Sequence, residues 1–228
     1  MSIEENLITI RNEILNIQKE CNRENDKVEL LAVSKTKPID YLLEAYNSGQ
    51  RLFGENRINE AEIKVPALPN DAIFHMIGHL QSNKVKKACE LFDCIQSVDS
   101  LKVAKKIDKY CKELKKTMDI YLEINIVNDI NKNGFKPSDD LINTAKEITT
   151  LTNINIVGLM CIGAHVSDEK EIKKSFLSLK ELSEKLNNEI PEFNGTKLSM
   201  GMSGDYKLAI ESGSSMVRVG SSIFGVRV

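Results

Sequence analysis

A lysine at the end of an apolar run is the first residue in this sequence whose position suggests covalent chemistry. Lys35 ends the run Leu30–Lys35, whose apolar residues include β-branched Val33 and predict a strand buried on both faces. A helix is predicted to follow, over Ile39–Ser48. Burial disfavours an ammonium relative to the free amine, so Lys35 is a candidate nucleophile toward a carbonyl. The alternative is a lysine that extends to the surface at a strand end.

Two turns rich in glycine and serine near the end of the chain predict an anion site. The turns are Ser-Met-Gly-Met-Ser-Gly-Asp at 199–205 and Arg-Val-Gly-Ser-Ser at 218–222, and each lies between a strand-like and a helix-like run. Glycine lets the backbone approach a ligand, and free amides at a helix start point toward an anion. The turns follow the last two predicted strands, where barrels commonly bind phosphate. The alternative is two flexible turns without a ligand.

An amine that faces a phosphate site calls for a ligand with both an aldehyde and a phosphate, and pyridoxal 5′-phosphate (PLP) has both. Arg218 lies two residues before Gly220 on the same side of a predicted strand, so it can reach the nitrogen of the pyridine ring. A guanidinium cannot accept a proton, so it would leave that nitrogen unprotonated and weaken the ring as an electron sink. The alternative role for Arg218 is an interior ion pair, for example with Glu123.

These residues need a scaffold, and apolar strand-like runs alternate with helical patterns along the chain. The predicted strands are Leu30–Lys35, Leu52–Glu55, Ile73–Gly78, Cys94–Val98, Ile120–Ile126, Ile156–Ile162, Leu198–Met202 and Met216–Gly220. The predicted helices are Ile3–Glu24, Ile39–Ser48, Ile58–Lys64, Ser82–Glu90, Ser100–Lys115, Ser138–Thr150, Asp168–Asn188 and Gly204–Ser212. This alternation predicts an α/β fold, a (β/α)8 TIM-like barrel with an extra N-terminal helix, as one domain over residues 1–228. An open doubly wound sheet is the alternative.

Composition excludes several classes of function. With 31 Lys and Arg against 33 Asp and Glu, the net charge is −2, and no basic stripe predicts nucleic-acid binding. We find no signal peptide and no apolar run of membrane-spanning length, which predicts a cytoplasmic protein. The five cysteines are widely spaced, which favours reduced thiols. His75 and His79 are four residues apart, but Gly78 between them argues against a metal site.

Five motifs together resemble the pyridoxal phosphate homeostasis protein family, which is related to the amino-terminal barrel of alanine racemase. They are Ala32–Lys35, Phe53–Asn56, His75–Lys84, Leu198–Asp205 and Val217–Gly220. The resemblance covers essentially the whole chain, and the run His-x-Ile-Gly-x-Leu-Gln-x-Asn-Lys that begins at His75 is its most specific signature. It implies the alanine racemase N-terminal domain type of barrel, known among PLP proteins as fold type III.

The resemblance also implies a monomer that holds PLP as a Schiff base on Lys35 and takes part in vitamin B6 homeostasis without catalysis. Delivery to PLP-dependent apoenzymes would make those enzymes transient partners. Lys132 matches a family lysine linked to cofactor handling. Asn56 would line the pocket, and Arg218 would lie beside the ring nitrogen. The full candidate cofactor-binding set is Lys35, Asn56, His75, Ser199, Met200, Ser203, Gly204, Arg218, Gly220 and Ser221.

Racemisation would need two acid/base groups, one on each face of the substrate Cα. Lys35 can serve one face. In alanine racemase the second group is a tyrosine from an additional carboxyl-terminal domain, whereas this chain ends at Val228, soon after the last predicted strand. Tyr206, next to a phosphate turn, is the one tyrosine we consider near the cofactor. We therefore expect a cofactor-binding protein. The alternatives are a racemase-like PLP enzyme and a class I aldolase acting on a sugar phosphate.

Overall fold

Eight parallel strands pair in chain order, and the eighth pairs with the first to close a barrel. The computed structural model describes residues 2–127, 129, 133–163 and 168–225. The strands are β1 (Glu29–Val33), β2 (Leu52–Glu55), β3 (Ile73–Met76), β4 (Cys94–Val98), β5 (Met118–Ile124), β6 (Ile154–Cys161), β7 (Lys197–Met202) and β8 (Met216–Val219). The predicted (β/α)8 barrel is confirmed, because pairing of Leu31 with Arg218 joins the two ends of the sheet and excludes an open one.

Helices connect consecutive strands and cover the outside of the barrel. They are α1 (Ile3–Glu20), α2 (Ile39–Asn47), α3 (Ile58–Lys64), α4 (Val85–Leu91), α5 (Leu101–Glu113), α6 (Asp139–Thr149), α7 (Glu169–Glu189), α8 (Tyr206–Glu211) and α9 (Ser221–Phe224). Helix α9 was not predicted, because four residues are too few to show a helical period. Within the described residues, no helix is both long and apolar enough to cross a membrane.

The extra N-terminal helix, α1, packs against α2, α8 and α9. Its start is fixed by a capping box, in which the Ser2 hydroxyl accepts from the Glu5 amide and the Glu5 carboxylate accepts from the Ser2 amide. Its buried residues recur at helical spacing and form one apolar stripe: Ile3, Leu7, Ile10, Ile14 and Ile17. Helix α1 therefore covers the apolar faces of the helices at both ends of the chain.

Strands β5 and β6 begin earlier than the sequence predicted. Their lower ends pair through Asp119 and Asn155, and the Asn155 amide donates to the Asp119 carboxylate over 3.2 Å. These polar residues interrupt the apolar pattern from which strands are predicted, so the pattern alone placed both starts too late. Both strands also end earlier, at Ile124 and Cys161.

The interior of the barrel is part apolar and part polar. Leu31, Val33 and Met216 form one apolar cluster, and Cys94, Tyr121 and Met160 form another. Polar side chains are buried between them, because alternate residues of each strand point inward. They include His75, Gln96, Glu123, Ser199 and Arg218.

Glu123 is a buried carboxyl group of the interior. Its Oε2 has no hydrogen-bond partner among the described residues. Burial raises the pKa of Glu123 to about 7, and the charge of Asp99 adds to this effect while that of Arg218 opposes it. Below pH 7 Glu123 is therefore mainly protonated in the folded protein.

We predict that Glu123 makes the fold less stable as the pH rises. Between pH 4.5 and about 7 the unfolded chain releases a proton that the folded protein retains, so the free energy of unfolding falls across this window. Glu123→Gln should remove this pH-dependent loss of stability and, at pH 8, raise the free energy of unfolding by on the order of 3 kcal/mol. Urea unfolding at pH 5 and pH 8 measures it. Glu20→Gln, at an exposed site on α1, is the control. Equal pH slopes for Glu123→Gln and the wild type would contradict the prediction.

Candidate functional site

A cavity of about 350 Å³ lies at the carboxyl ends of the strands, the end at which barrels of this type place their sites. Its wall combines three cationic side chains, several hydroxyl and glycine positions and a group of apolar side chains. The lining residues are Val33, Lys35, Lys37, Asn56, Ile77, Met160, Ile162, Met202, Ser203, Gly204, Arg218, Gly220, Ser221 and Gly225.

Lys35 lies in a tight turn just beyond β1, and is not the last residue of the strand as predicted. The strand ends at Val33, and the Lys37 amide donates to the Ser34 carbonyl over 3.1 Å to form the turn. Thr36 has a φ of 63°, a left-handed conformation that is rare for a residue other than glycine. The turn directs Lys35, which is half-buried, to the cavity wall.

A buried ion pair between Lys64 on α3 and Glu55 on β2 holds one side of this turn. Lys64 on α3 donates to the Ser34 carbonyl and to Glu55 Oε1, each over 2.8 Å, and the Ser34 hydroxyl donates to the same Glu55 oxygen over 2.7 Å. Burial raises the pKa of Glu55, while the hydrogen bonds from Lys64 and Ser34 lower it and favour the carboxylate. The residue immediately before Lys35 is therefore fixed through both its carbonyl and its hydroxyl.

The other side of the turn is held by Glu60. Its Oε2 accepts from the Thr36 amide over 2.7 Å and from Lys64 over 2.8 Å. Lys64 thus connects two carboxylates that contact the residues on either side of Lys35. This arrangement stabilises the left-handed conformation at Thr36, which would otherwise cost on the order of 1 kcal/mol or more.

Arg218 on β8 is buried, and its contacts fix the plane of the guanidinium. Nη1 donates to the Ser199 carbonyl over 2.6 Å and to the Ser199 hydroxyl over 2.8 Å, and Nη2 donates to the Cys161 carbonyl over 2.7 Å. Burial lowers the pKa of Arg218, but a guanidinium remains charged in proteins. The described ion pairs do not include one between Arg218 and Glu123, the alternative that the sequence left open.

The two glycine and serine turns face each other at the cavity. The Ser203 hydroxyl, after β7, accepts from the amides of Gly220 and Ser222, after β8, over 3.2 and 3.5 Å. At Gly204 a Cβ atom would meet nothing within 4 Å, so the backbone there is open to a ligand. The site thus offers the Ser203 and Ser221 hydroxyls and the open backbone at Gly204 to an anion.

The cavity brings together seven of the ten candidate residues: Lys35, Asn56, Ser203, Gly204, Arg218, Gly220 and Ser221. Asn56 Oδ1 is buried without a hydrogen-bond partner among the described residues, so it can accept one from a ligand. Gly78 allows this placement, because a Cβ there would lie 2.4 Å from the Asn56 carbonyl oxygen.

The other three candidates do not line the cavity. His75 and Ser199 are buried deeper in the barrel, where both contact Gln96, and Met200 belongs to the apolar core between strands and helices. Tyr206 turns away from the cavity, and its hydroxyl donates to Glu13 on α1. Lys132 lies outside the described residues.

The apolar wall of the cavity was not predicted. It consists of Val33, Ile77, Met160, Ile162 and Met202. A signal was present in part, since Ile77 lies two residues after His75 and Ile162 two after Met160, each one residue beyond the end of β3 or β6 and in line with its inward side. Lys37 was also missed; its Nζ donates to the carbonyl of Gly225, another lining residue, over 2.9 Å.

The described residues contain no group of three or more side chains arranged to bind a metal ion. His79 Nδ1 lies 3.1 Å from Asp99 Oδ2, with the His79 side chain about half exposed, whereas His75 is inside the barrel. The two histidines therefore do not form a shared site.

We predict that Lys64→Met destabilises the protein by about 3–5 kcal/mol, because the Glu55 carboxylate would remain buried without its cation. Urea unfolding at pH 8 measures the loss. Lys87→Met removes a lysine that is 42% exposed, and this control should change stability by less than about 1 kcal/mol. Adding Glu55→Gln to Lys64→Met should restore part of the stability. Equal effects of Lys64→Met and Lys87→Met would contradict the prediction.

The family model described as alanine racemase, N-terminal domain, matches residues 6–228. A pyridoxal phosphate homeostasis protein from Pasteurella multocida is 37% identical, with 100% of this chain and 98% of the relative covered. Another from Schizosaccharomyces pombe is 40% identical over 92% of this chain and 88% of the relative.

Solved structures give the same relationship. PipY of Synechococcus elongatus without PLP has a TM-score of 0.90 at 36% identity, with 98% of this chain and 100% of PipY covered. PipY with PLP bound has a TM-score of 0.87. Alanine racemase of Clostridium difficile shares the fold alone, with a TM-score of 0.80 at 16% identity over 98% of this chain and 57% of the racemase. This chain therefore belongs to the pyridoxal phosphate homeostasis protein family, within the larger family defined by the alanine racemase N-terminal domain.

Proposed function

We propose that this protein binds PLP covalently through Lys35 and acts in vitamin B6 homeostasis without catalysing a reaction of amino acids. The observation that carries the proposal is the placement of one lysine amine, one buried guanidinium and two hydroxyl-rich turns around a single cavity. A relative at 36% identity with the same fold is a PLP-bound protein, PipY, which supports the choice of ligand.

The covalent end of the ligand is assigned to Lys35. Lys35 would hold the cofactor through its Nζ, and the chemistry that the cofactor would supply is an aldehyde able to condense with an amine. The contacts of Ser34 and Thr36 hold the backbone on both sides of Lys35, so the amine enters from a fixed point of the wall. The apolar wall of Ile77, Met160 and Ile162 suits the flat face of a pyridine ring.

The phosphate end is assigned to the turns after β7 and β8. Ser203 and Ser221 provide hydroxyls, and Gly204 and Gly220 provide backbone that a phosphate can approach closely. Arg218 is assigned to the ring nitrogen, as a donor that keeps this nitrogen unprotonated. Asn56, with its unpartnered Oδ1, is assigned to a hydrogen bond from the ligand.

A non-catalytic role is supported by the chemistry of the lining. Besides Lys35, its titratable groups in the described part of the chain are Lys37 and Arg218. Lys37 is engaged with the Gly225 carbonyl, and an arginine does not exchange protons at neutral pH. The tyrosines lie elsewhere: Tyr121 is buried inside the barrel, and Tyr206 contacts α1. An acid/base group opposite Lys35, which racemisation requires, is thus not among the described lining residues.

The cellular setting completes the proposal. We place the protein in the cytoplasm, in agreement with its free thiols at Cys21, Cys89, Cys94, Cys111 and Cys161. We also propose that it is a monomer, with one domain over residues 1–228. Its small-molecule partner is PLP, and PLP-dependent apoenzymes would be transient recipients. An exposed cavity mouth with neutral phosphate donors suits a cofactor that is held and then released.

We predict that the purified protein takes up PLP and becomes yellow, and that Lys35→Ala abolishes the visible band of the lysine-bound cofactor. Absorption spectra during a PLP titration measure this. Lys37→Ala is the matched control, because Lys37 also lines the cavity but is engaged with Gly225; it should retain the band. Borohydride reduction followed by peptide mass analysis should place the pyridoxyl group on residue 35. A wild-type protein that stays colourless with PLP would refute the proposed function.

We further predict no acceleration of hydrogen exchange at the Cα of alanine in heavy water. With only one acid/base lysine assigned, the PLP-loaded protein should match Lys35→Ala mixed with free PLP. Proton NMR of alanine over several hours measures the exchange. Exchange above that background, lost in Lys35→Ala, would show that the protein is an enzyme after all.

A further inference from the structure

A chain of hydrogen bonds crosses the barrel interior beneath the cavity, from β8 to β7, β4 and β3. We propose that Gln96 and His75 are positioning residues that act through Ser199 to hold the Arg218 guanidinium at the cavity floor. The inference rests on the proposed function, since it assigns a role in PLP binding to residues that do not line the cavity. Neither Gln96 nor His75 is among the residues that line the cavity.

Ser199 is the first link. Its hydroxyl accepts from Arg218 Nη1 over 2.8 Å and donates to Gln96 Oε1 over 2.6 Å. An arginine can only donate, so the oxygen lone pair of Ser199 must face Arg218 and its proton must go elsewhere. Gln96 Oε1 accepts the hydrogen bond that this proton makes. Gln96 therefore orients the Ser199 hydroxyl as an acceptor for the guanidinium.

Gln96 is the second link, and both hydrogens of its amide nitrogen are used. Nε2 lies 2.7 Å from His75 Nδ1 and 3.1 Å from Met216 Sδ. Reversing the amide would bring Oε1 against the sulfur of Met216, which is itself an acceptor, and would leave the Ser199 proton without an acceptor. The direction of donation is thus fixed from Arg218 to Ser199 to Gln96 to His75.

His75 is the last link, and it can only accept at Nδ1 if it is neutral. Burial lowers the pKa of His75 to about 3, and the charge of Lys197 adds to this effect. His75 is thus an uncharged imidazole with its proton on Nε2 at physiological pH. A protonated His75 would turn Nδ1 into a donor that faces another donor, the Gln96 amide.

Arg218 depends on this chain because the described ion pairs give it no carboxylate partner. Its charge is instead compensated by the carbonyls of Cys161 and Ser199 and by the Ser199 hydroxyl. Hydrogen bonds to charged groups are stronger than neutral ones, so loss of an oriented acceptor loosens the guanidinium. A loosened Arg218 would be a poorer donor to the ring nitrogen.

The first test uses the cofactor-free wild-type protein. Nitrogen-15 NMR of the imidazoles reports which nitrogen is protonated, and the His75 signal is the one lost in His75→Asn. The proposal expects Nε2–H and no titration of His75 between pH 5 and pH 8. An Nδ1–H tautomer or titration in this range would overturn it, because Nδ1 could then not accept from Gln96. This result is independent of whether PLP binds.

The second test measures PLP affinity through the visible band of the lysine-bound cofactor. Gln96→Leu should raise the dissociation constant by about tenfold, the effect expected of one hydrogen bond to a charged group. The matched control is Gln50→Leu, because Gln50 is also a buried glutamine, with hydrogen bonds to Leu30 and Leu52 at the opposite end of the barrel. It should bind PLP as the wild type does.

A double-mutant cycle separates positioning from general damage to the fold. In an Arg218→Met background, Gln96→Leu should change the dissociation constant by less than about twofold, because the residue through which it acts is gone. Additive effects, or equal loss in Gln96→Leu and Gln50→Leu, would overturn the proposal. A wild-type protein that fails to bind PLP would instead refute the proposed function, and the tautomer of His75 would still decide whether the chain of hydrogen bonds exists.

Discussion

The parallel pairing of β1 with β8 is the contact on which the site depends. It closes the barrel and sets Leu31 opposite Arg218 and Ala32 opposite Val219. Because of this register, the turn that carries Lys35 leaves the barrel beside the turn of Gly220 and Ser221. A Cβ at Gly220 would lie 3.2 Å from the Val33 carbonyl oxygen, which shows how closely the two strand ends approach. An open sheet of the same strands would place these groups at opposite edges.

The barrel solves the problem of buried charge in three different ways. Lys64 and Glu55 neutralise each other as an ion pair with both side chains buried. Arg218 is surrounded by carbonyl and hydroxyl acceptors, and burial raises the pKa of Glu123 to about 7, so that it is mainly protonated below that pH. Arg218 lies at the cavity and the Lys64–Glu55 pair lies at the turn beside it, so two of the three buried charges adjoin the cavity. The described ion pairs elsewhere are exposed or partly exposed and contribute little to stability.

Much of the fold was predictable, because apolar runs and helical periods alternate with few interruptions. Strands β2 and β4 have the predicted bounds, and Lys35, Arg218 and the two serine-rich turns reach one cavity as the barrel hypothesis required. The depth of a residue in the barrel was harder to predict. His75 and Ser199 lie one and three residues before the ends of β3 and β7, so their side chains are buried below the cavity, where both contact Gln96.

Long-range polar contacts could not be predicted at all. In the sequence, nothing distinguishes Lys64 from other lysines on short helices. Its amine nevertheless donates to the carbonyl of Ser34, which is thirty residues earlier in the chain. Gln96 lies in an apolar strand and contacts Ser199, 103 residues away. No local pattern encodes such pairs, because they arise from closure of the barrel. The one local sign was the placement of a polar residue where an inward apolar one is expected.

The distribution of charge in the cavity agrees with the proposed role of holding the cofactor without catalysis. The proposed phosphate end consists of hydroxyls and backbone groups, which hold an anion less strongly than lysine or arginine would. Under the proposed assignment, the buried guanidinium of Arg218 would face the ring, withhold a proton from its nitrogen and leave the ring a weak acceptor of electrons. Tight positioning of Arg218 would therefore favour binding and oppose carbanion chemistry at the same time. A scaffold shared with racemases can in this way bind the cofactor while leaving its reactivity unused.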